Sequence, residues 1–262
     1  MSIMKIKKII PKPIRRAIKH TEARLQMAVS IGQHALFGIK TDDYKRIPII
    51  INNFNRLEYL KRLITSLEVR GYTNIYIIDN CSTYPPLLEY YRTTPYRVFR
   101  LKKNIGYLAL WKSGIYKKFR RSYYVYTDSD MEIDPICPDD FMARFVDVIE
   151  RYPRCQKVGF GIRIDNLPVC YNKRSEVIKW ESQFWRHEIE QGLYRAQIDT
   201  TFALYRPFCK GVASAYHEVY RTGAPYIIRH LPWYVDSKYP SREEQYYIEH
   251  VRQSTHWSML SK

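Results

Sequence analysis

Residues 123–135 read YYVYTDSDMEIDP, and the fold follows from where this stretch changes character. Tyr123 to Thr127 is a run of aromatic and β-branched side chains, the composition of a strand buried on both faces. The run stops at Asp128-Ser129-Asp130. Two carboxylates at the end of a buried strand repel one another at a cost that a cation relieves. Hard oxygen ligands favour Mg²⁺ or Mn²⁺, ions that keep positions open for water and phosphate oxygens. A bare D-x-D tripeptide also fits a solvated turn; its place directly after a strand favours the metal.

The same alternation extends to both sides. Ile47 to Ile51 is a short apolar run suited to a parallel strand, and Leu57, Leu60, Ile64 and Leu67 then repeat at helical spacing. Ile75 to Ile78 ends at Asp79 and is followed by a turn at Asn80 to Tyr84, a helix near Leu87 to Tyr91 and a strand at Arg97 to Leu101. Leu108, Trp111, Ile115 and Phe119 predict one more amphipathic helix before Tyr123. Further on, the pattern predicts a helix at Phe141 to Arg151, a strand at Val158 to Ile164, a helix from Glu176 to Ile189, and strands at Thr200 to Tyr205 and Tyr226 to Arg229. Repeated β-α units imply an α/β domain, Rossmann-like, with a mostly parallel central sheet flanked by helices and its ligand crevice at the carboxyl ends of the strands. Neither an internal repeat nor a low-complexity segment interrupts it.

Residues 1–46 differ. After Pro11 and Pro13, Ile14, Ala17, Ile18, Leu25 and Ala28 fall mostly on one helical face, with Arg15, Arg16, Lys19 and Arg24 elsewhere. This basic amphipathic arm suits an anionic membrane surface, or docking on the domain or a partner. The remaining 47–262 fits one domain. A net charge of +17 points to polyanionic company without choosing among nucleic acid, membrane and phosphate-bearing substrates. Five cysteines with no C-x-x-C pair argue against a disulfide framework and a zinc site, and fit a reducing cytoplasm. The start, MSIMKIKKIIPKPIRRAIKH, carries charges where a signal peptide has its apolar core, and no apolar run is long enough to span a bilayer. The expectation is a cytoplasmic protein, peripheral at the inner face of the membrane if the arm binds it.

Four motifs in order resemble the nucleotide-binding half of family 2 and related GT-A glycosyltransferases: IPIIINNFNR, IIDNCST, NIGYLALWKSGI and YVYTDSDMEIDP. They lie within 47–134, leaving 135–262 for an acceptor half. The resemblance implies a GT-A fold and transfer of a sugar from a nucleotide-sugar, with UDP as carrier and Mn²⁺ or Mg²⁺ as cofactor, to a glycan or lipid-linked acceptor. It departs from the family in NNFN, where a Pro-Thr-Tyr-Asn type of loop is commoner, and in LALWKSGI, where small residues are usual.

The resemblance also implies roles. Asn53, Phe54 and Arg56 would line the nucleotide pocket, Phe54 facing the base and Arg56 the phosphates; a core aromatic is the alternative for Phe54. Asp79 would accept from base or ribose, or else cap the next turn. Asn104 and Gly106 would form the tight entry to a helix beside the donor, and Lys112 would face the diphosphate or simply be solvated. Asp130 would be the principal metal ligand, with Asp128 contacting the ribose, or the metal through water. His230 follows an apolar strand and would be a further ligand or a structural histidine. The base candidates are Asp199, in QIDTTFALYRP, and Glu181, among the aromatics of KWESQFW; capping or a structural ion pair is the alternative for both. Leu231 to Arg242 would close over the diphosphate or be a plain surface loop.

Two rival readings remain. A sugar-phosphate nucleotidyltransferase would open its first loop with a glycine-rich cradle, and NNFNR has no glycine. A basic protein that binds nucleic acid or an anionic surface without catalysis fits the charge, but no zinc-finger spacing or RNA-binding signature accompanies it, and nucleic acid is not an expected partner.

Overall fold

The computed structural model describes residues 11–41, 43–211 and 216–251; the first ten residues of the arm and the last eleven of the chain lie outside them. Strands β1 (Ile49–Asn53), β2 (Ile75–Asp79), β3 (Arg97–Arg100) and β4 (Tyr124–Asp128) are joined through helices α2 (Glu58–Glu68), α3 (Pro85–Thr93) and α4 (Ala109–Lys112), following helix α1 (Lys12–Phe37). The second half contributes β5 (Met131–Ile133), α5 (Phe141–Arg151), β6 (Cys155–Ile162), α6 (Arg174–Glu181), β7 (Glu188–Glu190), β8 (Leu193–Arg195), β9 (Ala203–Tyr205), β10 (Glu218–His230) and α7 (Arg242–His250).

One sheet runs in the order β3-β2-β1-β4-β9-β6-β10-β8-β7, with β5 paired to the end of β10. β1 pairs parallel with β2 and β4, and β10 pairs parallel with β6, while β9 runs antiparallel between β4 and β6. The α/β class with a largely parallel, helix-flanked sheet is as expected. Period-two alternation divides β1 between two cores: Ile49 and Ile51 join Leu60, Ile64 and Leu67 of α2, whereas Ile50 faces Ala109, Leu110 and Tyr126. On the first face α5 inserts Phe141, Phe145 and Ile149, each fully buried and each worth about 2–3 kcal/mol of apolar transfer.

Several predicted elements are shorter or broken. The helix expected through Leu108 to Phe119 stops at Lys112, because Gly114 takes φ +79° and the chain resumes as a 3₁₀ turn, Ile115–Lys118. The helix expected from Glu176 to Ile189 ends at Glu181 and gives way to a 3₁₀ turn and then β7. The strand expected over Tyr226 to Arg229 is only the end of the thirteen-residue β10. The segment after His230 does not hang free: Leu231 and Trp233 are buried, and Ser237 N donates to Cys170 O at 3.3 Å.

The C-terminal helix clamps the first loop. Ser241 caps α7, and Glu243, the second residue of the helix, accepts from the backbone N–H groups of Leu57 and Glu58 at 2.7 and 2.9 Å, capping α2 from outside. Glu244 takes both terminal nitrogens of Arg56, whose guanidinium lies 3.6 Å from the Tyr247 ring. Both partners of this pair are nearly inaccessible, so removing one strands the other. Glu244→Ala is expected to cost about 3 kcal/mol or more in denaturant unfolding, against little for Glu58→Ala on the exposed side of α2.

Candidate active site

Parallel pairing brings the carboxyl ends of three strands level, with Asn53 beside Asp79 and Asn52 beside Asp128. Alternation then decides which side chains meet. Asn52 shares the face of Ile50, as Asp128 shares that of Tyr124 and Tyr126, so Asn52 Nδ2 donates to Asp128 Oδ1 at 3.2 Å. The second Asp128 oxygen accepts from Thr200 Oγ1, and Asp128 N donates to Thr200 O at 3.0 Å. Desolvation, followed by the nearby Asp130 carboxylate, pushes Asp128 up to about 8 despite these donors.

Asp130, like Asp128, stays partly open to solvent. β10 pairs its last residues with β5, setting His230 against Met131, and this delivers His230 Nε2 to 3.5 Å from Asp130 Oδ2. Burial raises the Asp130 pKa, but His230 and Arg56 outweigh it and hold the carboxyl below its ordinary range. His230 Nδ1 is buried with no hydrogen-bond partner. Carboxylate oxygen with imidazole nitrogen is a donor set that suits Mn²⁺. Among the described residues no group of three or more His, Cys, Asp or Glu is placed to hold a metal, and an ion held by Asp130 and His230 would take its remaining ligands from phosphate and water.

The other expected residues distribute as follows. Asn53 Oδ1 accepts from Ser129 Oγ at 2.6 Å and its Nδ2 donates to Tyr91 OH at 2.8 Å, fastening the D-x-D turn to β1 and α3. Asp79 is buried at its strand end, where it accepts from Ser82 N at 2.9 Å and lies 3.3 Å from Arg100 Nε, so it caps the 80–84 turn in this state. Phe54 meets Tyr247 edge to face at 6.2 Å. Gly106 has φ +79° and donates to Asn104 Oδ1 at 2.9 Å, and Lys112 Nζ reaches Ile105 O at 3.3 Å. Asp199 is exposed immediately before Thr200.

Two of these side chains are engaged by other residues in this structure. Arg56 does not present a free charge to phosphates, because Glu244 occupies its guanidinium. Glu181 is not a free base: it is 2% exposed and paired with Arg221, the ion-pair alternative.

Sequence reading missed Asn52, Asn55, Asn80 and Thr200. Asn55 Oδ1 accepts from Thr83 N and Tyr84 N at 2.7 and 3.0 Å, and Asn80 grips Ile105 N and Gly106 O at 2.9 and 3.0 Å. Period two in β1 carried the signal for Asn52; nothing local signals Thr200, 72 residues from Asp128.

A largely parallel sheet with paired acids at a strand end and a histidine returned beside them is the layout of an α/β protein whose ligand crevice lies at the carboxyl ends of its strands. A model of the family described as Glycosyl transferase family 2 matches residues 49–212, and the chain belongs to that family. The GT-A fold is the one that the family resemblance implies. No curated protein matches the chain. Among solved structures it is similar to the S. aureus protein TarS, residues 1–349, at 14% identity and TM-score 0.42, over 71% of this chain and 60% of that one. It is also similar to GalNAc-T7 with UDP, GalNAc and Mn²⁺, at 14% identity and TM-score 0.46, over 70% and 43%. A third is glucosyl-3-phosphoglycerate synthase from Mycobacterium tuberculosis with phosphoglyceric acid, at 15% identity and TM-score 0.38, over 61% and 56%. The chain thus spans less than two thirds of each of these proteins.

If Asp130 and His230 hold the ion, Asp130→Asn abolishes Mn²⁺ binding and His230→Gln weakens it at least about tenfold, or 1.4 kcal/mol, by electron paramagnetic resonance titration. Glu89→Gln, on the exposed side of α3, leaves that affinity unchanged.

Proposed function

We propose that the chain transfers a sugar from a nucleoside-diphosphate donor to a hydroxyl of a glycan or lipid-linked acceptor, using Mn²⁺ or Mg²⁺, with UDP the carrier that the family resemblance implies. The observation that carries this reading is the Asp128–Asp130 pair at the end of β4, with His230 brought to 3.5 Å from Asp130 by β10.

A bound divalent ion supplies Lewis-acid stabilisation of the charge that grows on the departing diphosphate. Asp130 and His230 would hold it, and Asp128, fixed by Asn52 and Thr200, would orient the ribose. Asp79, Asn53 and the Phe54–Tyr247 pair stand at the neighbouring strand ends, where the base would lie. Asp199 is the proposed base. As the bond from the anomeric carbon to the phosphate oxygen breaks and that to the acceptor oxygen forms, the acceptor proton passes to the Asp199 carboxylate and then to solvent. The leaving nucleoside diphosphate keeps the electron pair of the broken bond.

Calorimetric titration of UDP and of GDP, each with Mn²⁺ or with EDTA, tests the donor site in wild type and Asp130→Ala. Metal-dependent binding of UDP that Asp130→Ala abolishes is expected. Absence of binding to either nucleotide by the folded wild-type protein would sink the reading and leave the basic, non-catalytic one.

An anionic membrane surface is the partner proposed for α1. At 100° per residue, Ile14, Ile18, Leu25, Val29 and Leu36 fall within about 60° of one another, and all are exposed. The buried residues Ala23, Met27 and Ser30 occupy the opposite face, which docks the helix on the domain. Arg15 and Arg24 border the stripe on α1, and Lys117, Lys118, Arg120 and Arg121 lie beyond its end, where Arg121 Nε donates to Phe37 O at 2.7 Å. The helix meets Tyr123, at the start of β4, so it sits at the end of the sheet opposite the D-x-D turn. No helix among the described residues is long and apolar enough to cross a membrane. Sedimentation with phosphatidylcholine vesicles, with and without phosphatidylglycerol, should show binding only to the anionic vesicles, lost in the double variant Leu25→Glu/Val29→Glu. Equal partitioning of wild type and variant would refute this role.

A further inference from the structure

Lys157 lies on β6 with no solvent exposure, in a layer shared with Ile198, Tyr205 and Val219. An ammonium in such surroundings is costly unless its donors are satisfied. Desolvation accordingly draws its pKa down to about 7. Its hydrogen-bond partners are not carboxylates. Nζ donates to Ile198 O at 2.7 Å, to Asp199 O at 3.0 Å and to Tyr205 OH at 3.2 Å, so three protons meet three acceptors.

The residues on either side extend the pattern. Gln197 O accepts from Arg221 Nε at 2.7 Å, and Arg221, also buried, is paired with Glu181 and lies 4.2 Å from the Phe184 ring. Thr200 O accepts from Asp128 N, while Thr200 Oγ1 donates to Asp128 Oδ2. The carbonyls of four consecutive residues, 197 to 200, are therefore each engaged by a donor from β6, β10 or β4. This segment links β8 to β9 and lies outside both strands, so these donors stand in for a sheet ladder.

We propose that Lys157, with Arg221 beside it, is a positioning residue that locks the 197–200 segment and through Thr200 fixes the orientation of the Asp128 carboxylate. The lock also sets where the exposed Asp199 carboxylate points. Glu181 acquires a role here: it neutralises Arg221, whose Nε holds Gln197 O. The consequence for nucleotide binding rests on the donor-site reading above; the consequence for the order of Asp128 does not.

Lys157→Met keeps the aliphatic stem and removes every donor. Amide hydrogen exchange of the ligand-free protein is expected to quicken in peptides covering 125–130 and 196–202, with β2 unchanged. Calorimetry with UDP and Mn²⁺ is expected to show affinity about tenfold weaker, the scale of an outer-shell partner's loss. In a Thr200→Val background Lys157→Met should add little further loss, because the path to Asp128 is already cut. If Lys157→Met does not fold, Tyr205→Phe removes one acceptor with minimal change of shape and should shift exchange in the same peptides. Unchanged exchange at 125–130 in a folded Lys157→Met or Tyr205→Phe variant overturns the proposal, as does full additivity with Thr200→Val. Failure of the wild type to bind UDP would sink the donor-site reading, and exchange alone would still decide the lock.

Discussion

A carboxylate at the end of a buried strand, with a second two residues on, is the constraint around which this molecule is arranged. Asp128 is only partly open to water at the end of a strand whose other residues are buried between β1 and β9. It therefore needs donors from both neighbours. Asn52 comes from β1 because the parallel register and the alternation of β1 leave no other side chain at that point on that face. Thr200 comes from the segment entering β9, and requires that segment to be held where no ladder holds it. The cations of β6 and β10 perform that task, so the chemistry at the end of β4 reaches two strands away.

The same constraint explains the route of the second half. A Rossmann-like half with four parallel strands could end at β4, and here the sheet instead continues unbroken across residue 134. β10 pairs first with β8 and then, after an irregularity between Thr222 and Ile227, with β5. One long strand thus serves both jobs: its first part supplies Arg221 and its last residue is His230. α7 then returns to the opening loop and occupies Arg56. The residues at the carboxyl ends of β1 and β4 are held by elements from the far end of the chain.

Much of the first half was legible because its signals are local. Runs of four or five strand-forming residues marked β1, β2 and β4, helical spacing marked α2 and α5, and acids at strand ends marked the crevice. What sequence reading missed is nonlocal or short. Arg56 and Glu244 are 188 residues apart, and either could have paired with many charges; Glu181 and Arg221 pose the same problem. β5, β7 and β8 have three residues each, too few to show a period. Gly114 was visible inside the pattern Leu108, Trp111, Ile115, Phe119, and periodicity was given more weight than a glycine whose positive φ ends the helix.

The net charge of +17 illustrates how composition can mislead about function. It suggested a surface for polyanions, yet part of it is spent inside. Arg70 donates to Ser66 O and Asp134 O, Arg206 to Cys155 O and Tyr152 O, Lys157 to Ile198 O and Asp199 O, and Arg221 to Gln197 O. These buried cations satisfy carbonyls at helix ends and loops, where the backbone runs out of its own donors. Arg206 sits at the end of α5 and Arg70 at the end of α2, where a cation also opposes the helix dipole. Such charges cannot attract a ligand. The charge that can is what remains outside, on α1, on Lys117 to Arg121 and around Arg100 to Lys103 among other exposed positions.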